Sequence, residues 1–112
     1  MYIMKVKPEY FEKIKTGKKI YEIRLLDDKR KLIKMGDTIL LKKLPEVIEG
    51  VVLKVVDIRF FDTFKDMIKR ISSKDLGYED LSPDQIEEIY HGYYDVEEEN
   101  EKGVVALKVE RL

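Results

Sequence analysis

The stretch from Val51 to Phe61 leaves this chain the fewest options. It is rich in β-branched and aromatic residues, with Val51, Leu53 and Val55 on one side and Val52, Lys54 and Val56 on the other. It therefore reads as one long strand, continued by Asp57, Ile58 and Arg59, with apolar surface on both faces. Such a strand needs cover on both sides, as a barrel strand lying under a helix has.

The rest of the chain supplies partners for it. Tyr2 to Val6 reads as a first strand. Pro8 then sits at a first helical position, with Glu9 and Glu12 early and Lys13 and Lys15 late, as the helix dipole favours. Tyr10, Phe11 and Ile14 give this helix its apolar face, and Gly17 ends it. Lys19 to Leu25 is expected as a strand, Asp27 to Lys31 and Met35 to Asp37 as turns, Thr38 to Leu41 as another strand, and Pro45 to Gly50 as a loop. Asp62 or Thr63 can cap a helix through Phe64, Met67, Ile68 and Ile71, and Ser82 with Pro83 begins another carrying Ile86, Ile89 and Tyr90. Residues 72 to 81 read as a connector. The acidic stretch from Tyr93 to Glu101 is open to a further helical turn, and Val104 to Val109 forms the last strand. At 112 residues, with no repeat or low-complexity linker, the expectation is one α+β domain over residues 1–112.

Composition narrows the chemistry. With no cysteine and a single histidine, His91, thiol nucleophiles, disulfides and zinc ribbons are excluded, and neither a metal site nor a cofactor is expected. Glu97 to Glu101 reads as a solvated acidic turn rather than a metal site. No stretch approaches the roughly 20 apolar residues of a membrane helix, and the N-terminus has no signal-peptide pattern, so the chain reads as cytoplasmic with no membrane partner. Charged residues make up 40%, mostly Lys and Glu, and Gln85 and Asn100 are the only side-chain amides, a bias that suits a heat-adapted source. The net charge is only -1, yet the signs are segregated: Lys13 to Lys43 is mainly basic, whereas Glu79 to Glu101 contains no Lys or Arg. A local positive face for an anionic partner is compatible with that distribution.

The segment Gly17-Lys18-Lys19-Ile20-Tyr21-Glu22-Ile23-Arg24 has the pattern G-x-K-x-x-E-x-R. It is a glycine turn feeding a strand that places an amine, a carboxylate and a guanidinium close together. Glu22 and Arg24 share one strand face, while Lys19 has the opposite parity but lies at the loop-to-strand junction. Spacing alone makes a local Glu22–Arg24 ion pair the default.

This segment resembles the signature of the ASCH domain, a family related to the PUA domain, in its small stand-alone archaeal and bacterial form. Ile33 to Ile39, Asp57 to Phe64, and Tyr93-Tyr94 through Gly103 to Leu107 are similar to the family's later segments, in order along nearly the whole chain. The resemblance implies a PUA-like β-barrel of about five to six strands, mixed or antiparallel, with flanking helices. It also implies a cleft for RNA or a nucleotide, in which Lys19 and Arg24 hold phosphate and Glu22 accepts hydrogen bonds from a base. Tyr21 or Tyr2 is a candidate stacking surface.

Two other readings stay open. One branch of the superfamily resembles an amidohydrolase acting on acetylated cytidine through a Lys, a hydroxyl residue and a Glu. Here the hydroxyl position falls on Glu22, and a second carboxylate has to come from Asp75, Glu79 or Asp80 in the connector. A hydrolase acting on a modified nucleoside or on RNA would use Lys19 and Glu22 as its acid-base pair. The last reading is a protein-interaction module whose acidic face, residues 79 to 101, docks a basic partner. His91 reads as a helix-end or capping residue.

Overall fold

Pro8, with its fixed φ, opens helix α1 (Pro8–Lys15) directly behind strand β1 (Tyr2–Val6) in the computed structural model, which describes all of residues 1–112. The helix stops at Gly17, whose φ of +80° suits glycine and whose N–H donates to the Ile14 carbonyl. Strand β2 (Tyr21–Leu25), a 3₁₀ turn (Arg30–Leu32), β3 (Thr38–Lys43) and the long β4 (Gly50–Phe61) follow. The second half holds α2 (Phe64–Arg70), α3 (Pro83–Tyr93), α4 (Val96–Lys102) and β5 (Val104–Arg111). Thr63 rather than Asp62 caps α2, accepting from Asp66 N at 3.1 Å, and Ser82 with Gln85 forms a capping box on α3.

The five strands form one curled sheet in the order β1-β3-β4-β5-β2. β1 runs parallel to β3 and every other pairing is antiparallel, so the sheet is mixed. This α+β sheet is the architecture expected from the resemblance, with the barrel left as a half-barrel. β1 and β2 are the free edges and share no backbone ladder. A side chain bridges them instead: Arg24 Nη2, on β2, donates to the Lys5 carbonyl of β1 at 3.1 Å.

Two cores lie on opposite sides of β5. Val105, Leu107 and Val109 face inward to join Met4, Val6, Ile39, Leu41, Leu53 and the α1 residues Phe11 and Ile14. Val104 and Ala106 face outward, under α2 and α3, with Ile23, Phe64, Met67 and Ile86. This split is what the two-faced apolar pattern requires, each buried large side chain contributing roughly 1.5–3 kcal/mol. The β4–β5 register shifts between Val55 and Asp57, a bulge that increases local twist and helps the sheet curl.

Candidate functional site

β2 begins at Tyr21, two residues later than the sequence pattern suggests, and this decides where Lys19 points. Outside the ladder, Lys19 is free of strand parity and turns to the same place as Glu22 and Arg24. Those two face the inner side of the sheet, opposite Leu107 and Val105. All three line a pocket of about 210 Å³ at the unclosed seam between β1 and β2. Lys5, Val6 and Lys7 line it from the β1 edge.

Glu22 is 5% exposed, and its Oε2 accepts from both Arg24 Nε at 3.0 Å and Arg24 Nη2 at 2.8 Å. The expected ion pair is therefore present within the pocket. Burial works against the Arg24 guanidinium, but Glu22 beside it carries its pKa above the usual value. A pair this buried adds little net stability, because desolvation offsets attraction. Its effect is positional: it spends one Glu22 oxygen and leaves Oε1 without a protein partner.

Lys19 is 4% exposed, and its Nζ donates to the Leu76 carbonyl at 3.1 Å. Burial lowers its pKa to about 8; Glu22 opposes the shift, while Arg24 and Lys13 add to it. The seat for this amine comes from the connector. Gly77 has a φ of +87°, and a Cβ there would meet the Lys19 stem at 3.1 Å, so a larger residue would displace it. Ile20 N donates to Asp75 O and Lys13 Nζ to Gly77 O, fastening the connector over the pocket. Asp75, Glu79 and Asp80 do not line the pocket; the connector gives it a backbone carbonyl and Tyr78, not a second carboxylate.

Tyrosines form the far wall. Tyr93, Tyr10, Tyr78 and Tyr90 follow one another edge to face, with centroids 6.0–6.4 Å apart. Tyr90 stacks on Phe64 at 4.8 Å, which fixes its ring, and its hydroxyl is buried with no hydrogen-bond partner. Burial pushes this phenol up. An unpartnered buried hydroxyl costs about 1–3 kcal/mol, so a protein that keeps one inside a pocket has a polar atom available to a ligand. At the rim, Lys7 holds the Tyr93 phenol below its usual range and lies 4.8 Å from the ring centroid.

Tyr21 is placed elsewhere. Its parity sends the ring outward into the core under α2 and α3, so it does not line the pocket. Tyr2 also lies outside, donating to the Leu32 carbonyl at 3.1 Å. The sequence pattern does not single out the tyrosines that line the pocket: Tyr10 reads as part of a helix face, and Tyr78 lies in a connector with no recognisable pattern. Gly77 followed by an aromatic was the one available signal.

His91 and Glu99 meet far along the fold. Glu99 is 3% exposed; its Oε1 lies 2.7 Å from His91 Nε2, and its Oε2 accepts from Phe64 N at 2.7 Å. Glu99 thus ties α4 to the α2 N-terminus and the last turn of α3, in place of the solvated turn expected for residues 97–101. The acidic stretch from 79 to 101 is divided among the connector, α3 and α4, with Glu99 turned inward.

Comparison with known proteins gives a consistent result. The ASCH domain family model matches residues 4–112. The crystal structure of the hypothetical protein PH0355 is 34% identical, with a TM-score of 0.90, covering 99% of this chain and 98% of that one. The solution structure of PF0455 from Pyrococcus furiosus is 30% identical, with a TM-score of 0.76 and coverage of 99% and 96%. An ASCH domain from Lactobacillus crispatus shares the fold at 13% identity, with a TM-score of 0.69, covering 98% of this chain and 79% of that one. No curated protein matches.

Proposed function

The chain belongs to the ASCH domain family, and from that premise we propose that it binds RNA or a nucleotide, one nucleotide unit entering the seam pocket. The observation that carries this reading is the convergence of Lys19, Glu22 and Arg24 with the unpartnered Tyr90 hydroxyl in one pocket. The chemistry matches a nucleotide. Lys5, Lys7, Lys19 and Arg24 outnumber Glu22 and suit a phosphate, Glu22 Oε1 suits an amino group of a base, and the tyrosine wall suits a ring. A volume of about 210 Å³ is below the roughly 300–1,000 Å³ of sites for drug-sized ligands, so one unit enters rather than a length of polymer. No helix is long and apolar enough to cross a membrane. We place the protein in the cytoplasm, with RNA as partner, and read its Lys- and Glu-rich surface as heat adaptation.

Titration with nucleoside monophosphates and short RNAs tests the proposal. Lys19→Ala and Arg24→Ala are expected to weaken binding about tenfold or more, since a hydrogen bond to a charged group is worth roughly 1.5–3 kcal/mol. Unchanged affinity in both folded variants would reject the pocket.

A hydrolytic reading keeps one specific support, the Lys19 pKa of about 8, which brings a buried amine near the range useful for proton transfer. Against it, Glu22 is already held by Arg24, and the connector supplies no second carboxylate. Mass spectrometry of acylated nucleosides and RNA after incubation decides the matter: altered ligand in wild type, absent in Glu22→Gln, would move hydrolysis ahead of binding.

A further inference from the structure

The lysines of β1 do more than rim the pocket. Met4, Val6, Ile39, Leu41, Val51 and Leu53 point into the inner core, so Ile3, Lys5, Leu40, Lys42, Val52 and Lys54 occupy the outer face of β1, β3 and β4. No helix covers this face: α1 packs on the inner core, and the buried residues of α2 and α3 pack with β2 and β5.

Register places Lys5 directly opposite Lys42 across the parallel β1–β3 ladder. Like charges in that position oppose pairing. Neighbouring lysines are neutralised: Lys15 by Glu49 at 2.8 Å, and Lys43 by Glu12 at 3.2 Å and Glu49 at 3.7 Å. Lys5, Lys7 and Lys42 form no salt bridge with any carboxylate. The fold thus keeps the ammonium groups of Lys5 and Lys42 together where their pairing is disfavoured, and Lys5 also lines the pocket, beside Lys7, whose Nζ lies against the Tyr93 ring. Ile3, Leu40 and Val52, aligned across the three strands, form a shallow apolar floor beside the charges. Across β4 and β5 the outer face pairs Lys54 with Glu110 and Asp57 with Lys108, so the lysines without an opposite charge are Lys5 and Lys42, nearer the seam.

We propose that this bare face is a phosphodiester track for single-stranded RNA, which runs over Lys42 and Lys5 while one of its nucleotides occupies the seam pocket beside Lys7. The inference rests on the pocket reading and extends it from a nucleotide to a strand. Lys42 is the residue that separates the two, because it lies on the track and does not line the pocket.

The test measures binding of a fluorescently labelled eight-nucleotide single-stranded RNA, and of the four nucleoside monophosphates, to wild type, Lys42→Ala and Lys42→Glu across a salt series. For Lys42→Ala, losing one phosphate contact is expected to make the salt slope for the oligonucleotide shallower by about 0.7, equivalent to about fivefold weaker binding at 0.1 M salt. Lys42→Glu should weaken it further. Mononucleotide affinity should stay within about twofold of wild type in both. Since Lys42→Glu places opposite charges across the ladder, its melting temperature should equal or exceed that of wild type, which separates lost binding from lost fold. Wild-type oligonucleotide affinity and salt slope in both variants, with mononucleotide binding intact, would overturn the track and leave the pocket reading standing. Absence of mononucleotide binding to wild type would overturn the pocket reading and the track with it.

Discussion

Glu22 and Glu99 are the two buried carboxylates of this fold, and they are partnered in opposite ways. Glu99 closes both oxygens inside the protein, one on the Phe64 N–H and one on His91. Glu22 accepts both guanidinium bonds on a single oxygen and leaves the other without a partner, in a pocket that Tyr90, whose hydroxyl also lacks one, helps to line. A carboxylate whose bonds are complete inside the fold holds structure; one with an unused oxygen at a pocket is available to a ligand. The same contrast separates the middle of the sheet from its seam. β4 is paired on both sides, while the β1–β2 seam is bridged by one Arg24 hydrogen bond.

The largest expected effect breaks the structural member of the comparison. Glu99→Ala should cost on the order of 3–5 kcal/mol, an orphaned buried Phe64 N–H at roughly 1–3 kcal/mol plus the lost packing of a buried side chain, read as a lower denaturation midpoint. Glu99→Gln should recover part of it, because an amide oxygen still accepts from Phe64 N. A loss below about 0.5 kcal/mol, the scale of an ordinary surface substitution, would mean that Glu99 does not organise the helices.

Next in size is a pH effect from the pocket. Lys19 has a folded pKa of about 8 against 10.5 for a free lysine, so between these values the unfolded chain binds more protons and stability rises with pH. Below pH 8 the full cost of burying the ammonium is present, and it is relieved as pH climbs toward 10.5. The span corresponds to on the order of 3 kcal/mol. Near the top of the window the Tyr90 phenol, pushed up by burial, begins to pull the other way. Denaturation at pH 7 to 10 should show the rise in wild type and its loss in Lys19→Met. A flat wild-type profile would remove the buried-charge description of Lys19.

A smaller effect sharpens the comparison. Tyr90→Phe deletes an unsatisfied hydroxyl, so stability should hold or rise by about 1 kcal/mol while nucleotide affinity falls. A stability loss above about 1 kcal/mol would show that the hydroxyl is satisfied within the fold and is not offered to a ligand. Tyr21→Phe, with its ring in the outer core, should leave affinity unchanged; a clear loss would put Tyr21 back in the site.

Much of the fold could be read from local patterns. Pro8 and Gly17 bracket α1, Ser82 and Gln85 start α3, and the two-faced run from Val51 to Phe61 became the long central strand. Local patterns do not encode partners distant in sequence. That β2 pairs with β5, or that the sheet stops short of closing, depends on contacts between residues such as Glu22 and Leu107. The site divides in the same way. Lys19, Glu22 and Arg24 were legible as a motif because they lie within one short segment. Leu76, Gly77 and Tyr78 were not, because the Lys19 seat they build is a loop whose meaning appears only once it packs against that lysine. Tyr21 went the other way: strand parity, applied to it as strictly as to Glu22, sends it to the core. Glu99 was hidden among acidic neighbours of identical appearance.

The most direct test of the contrast is amide chemical-shift mapping while nucleoside monophosphates and a short RNA are titrated into the isotopically labelled protein. Shifts should concentrate at residues 19–24 and 76–78 and at Tyr90, Tyr93 and Tyr94, with Phe64 and Glu99 unmoved. Shifts centred on Phe64, His91 and Glu99, or no shifts with any nucleotide or RNA, would contradict it.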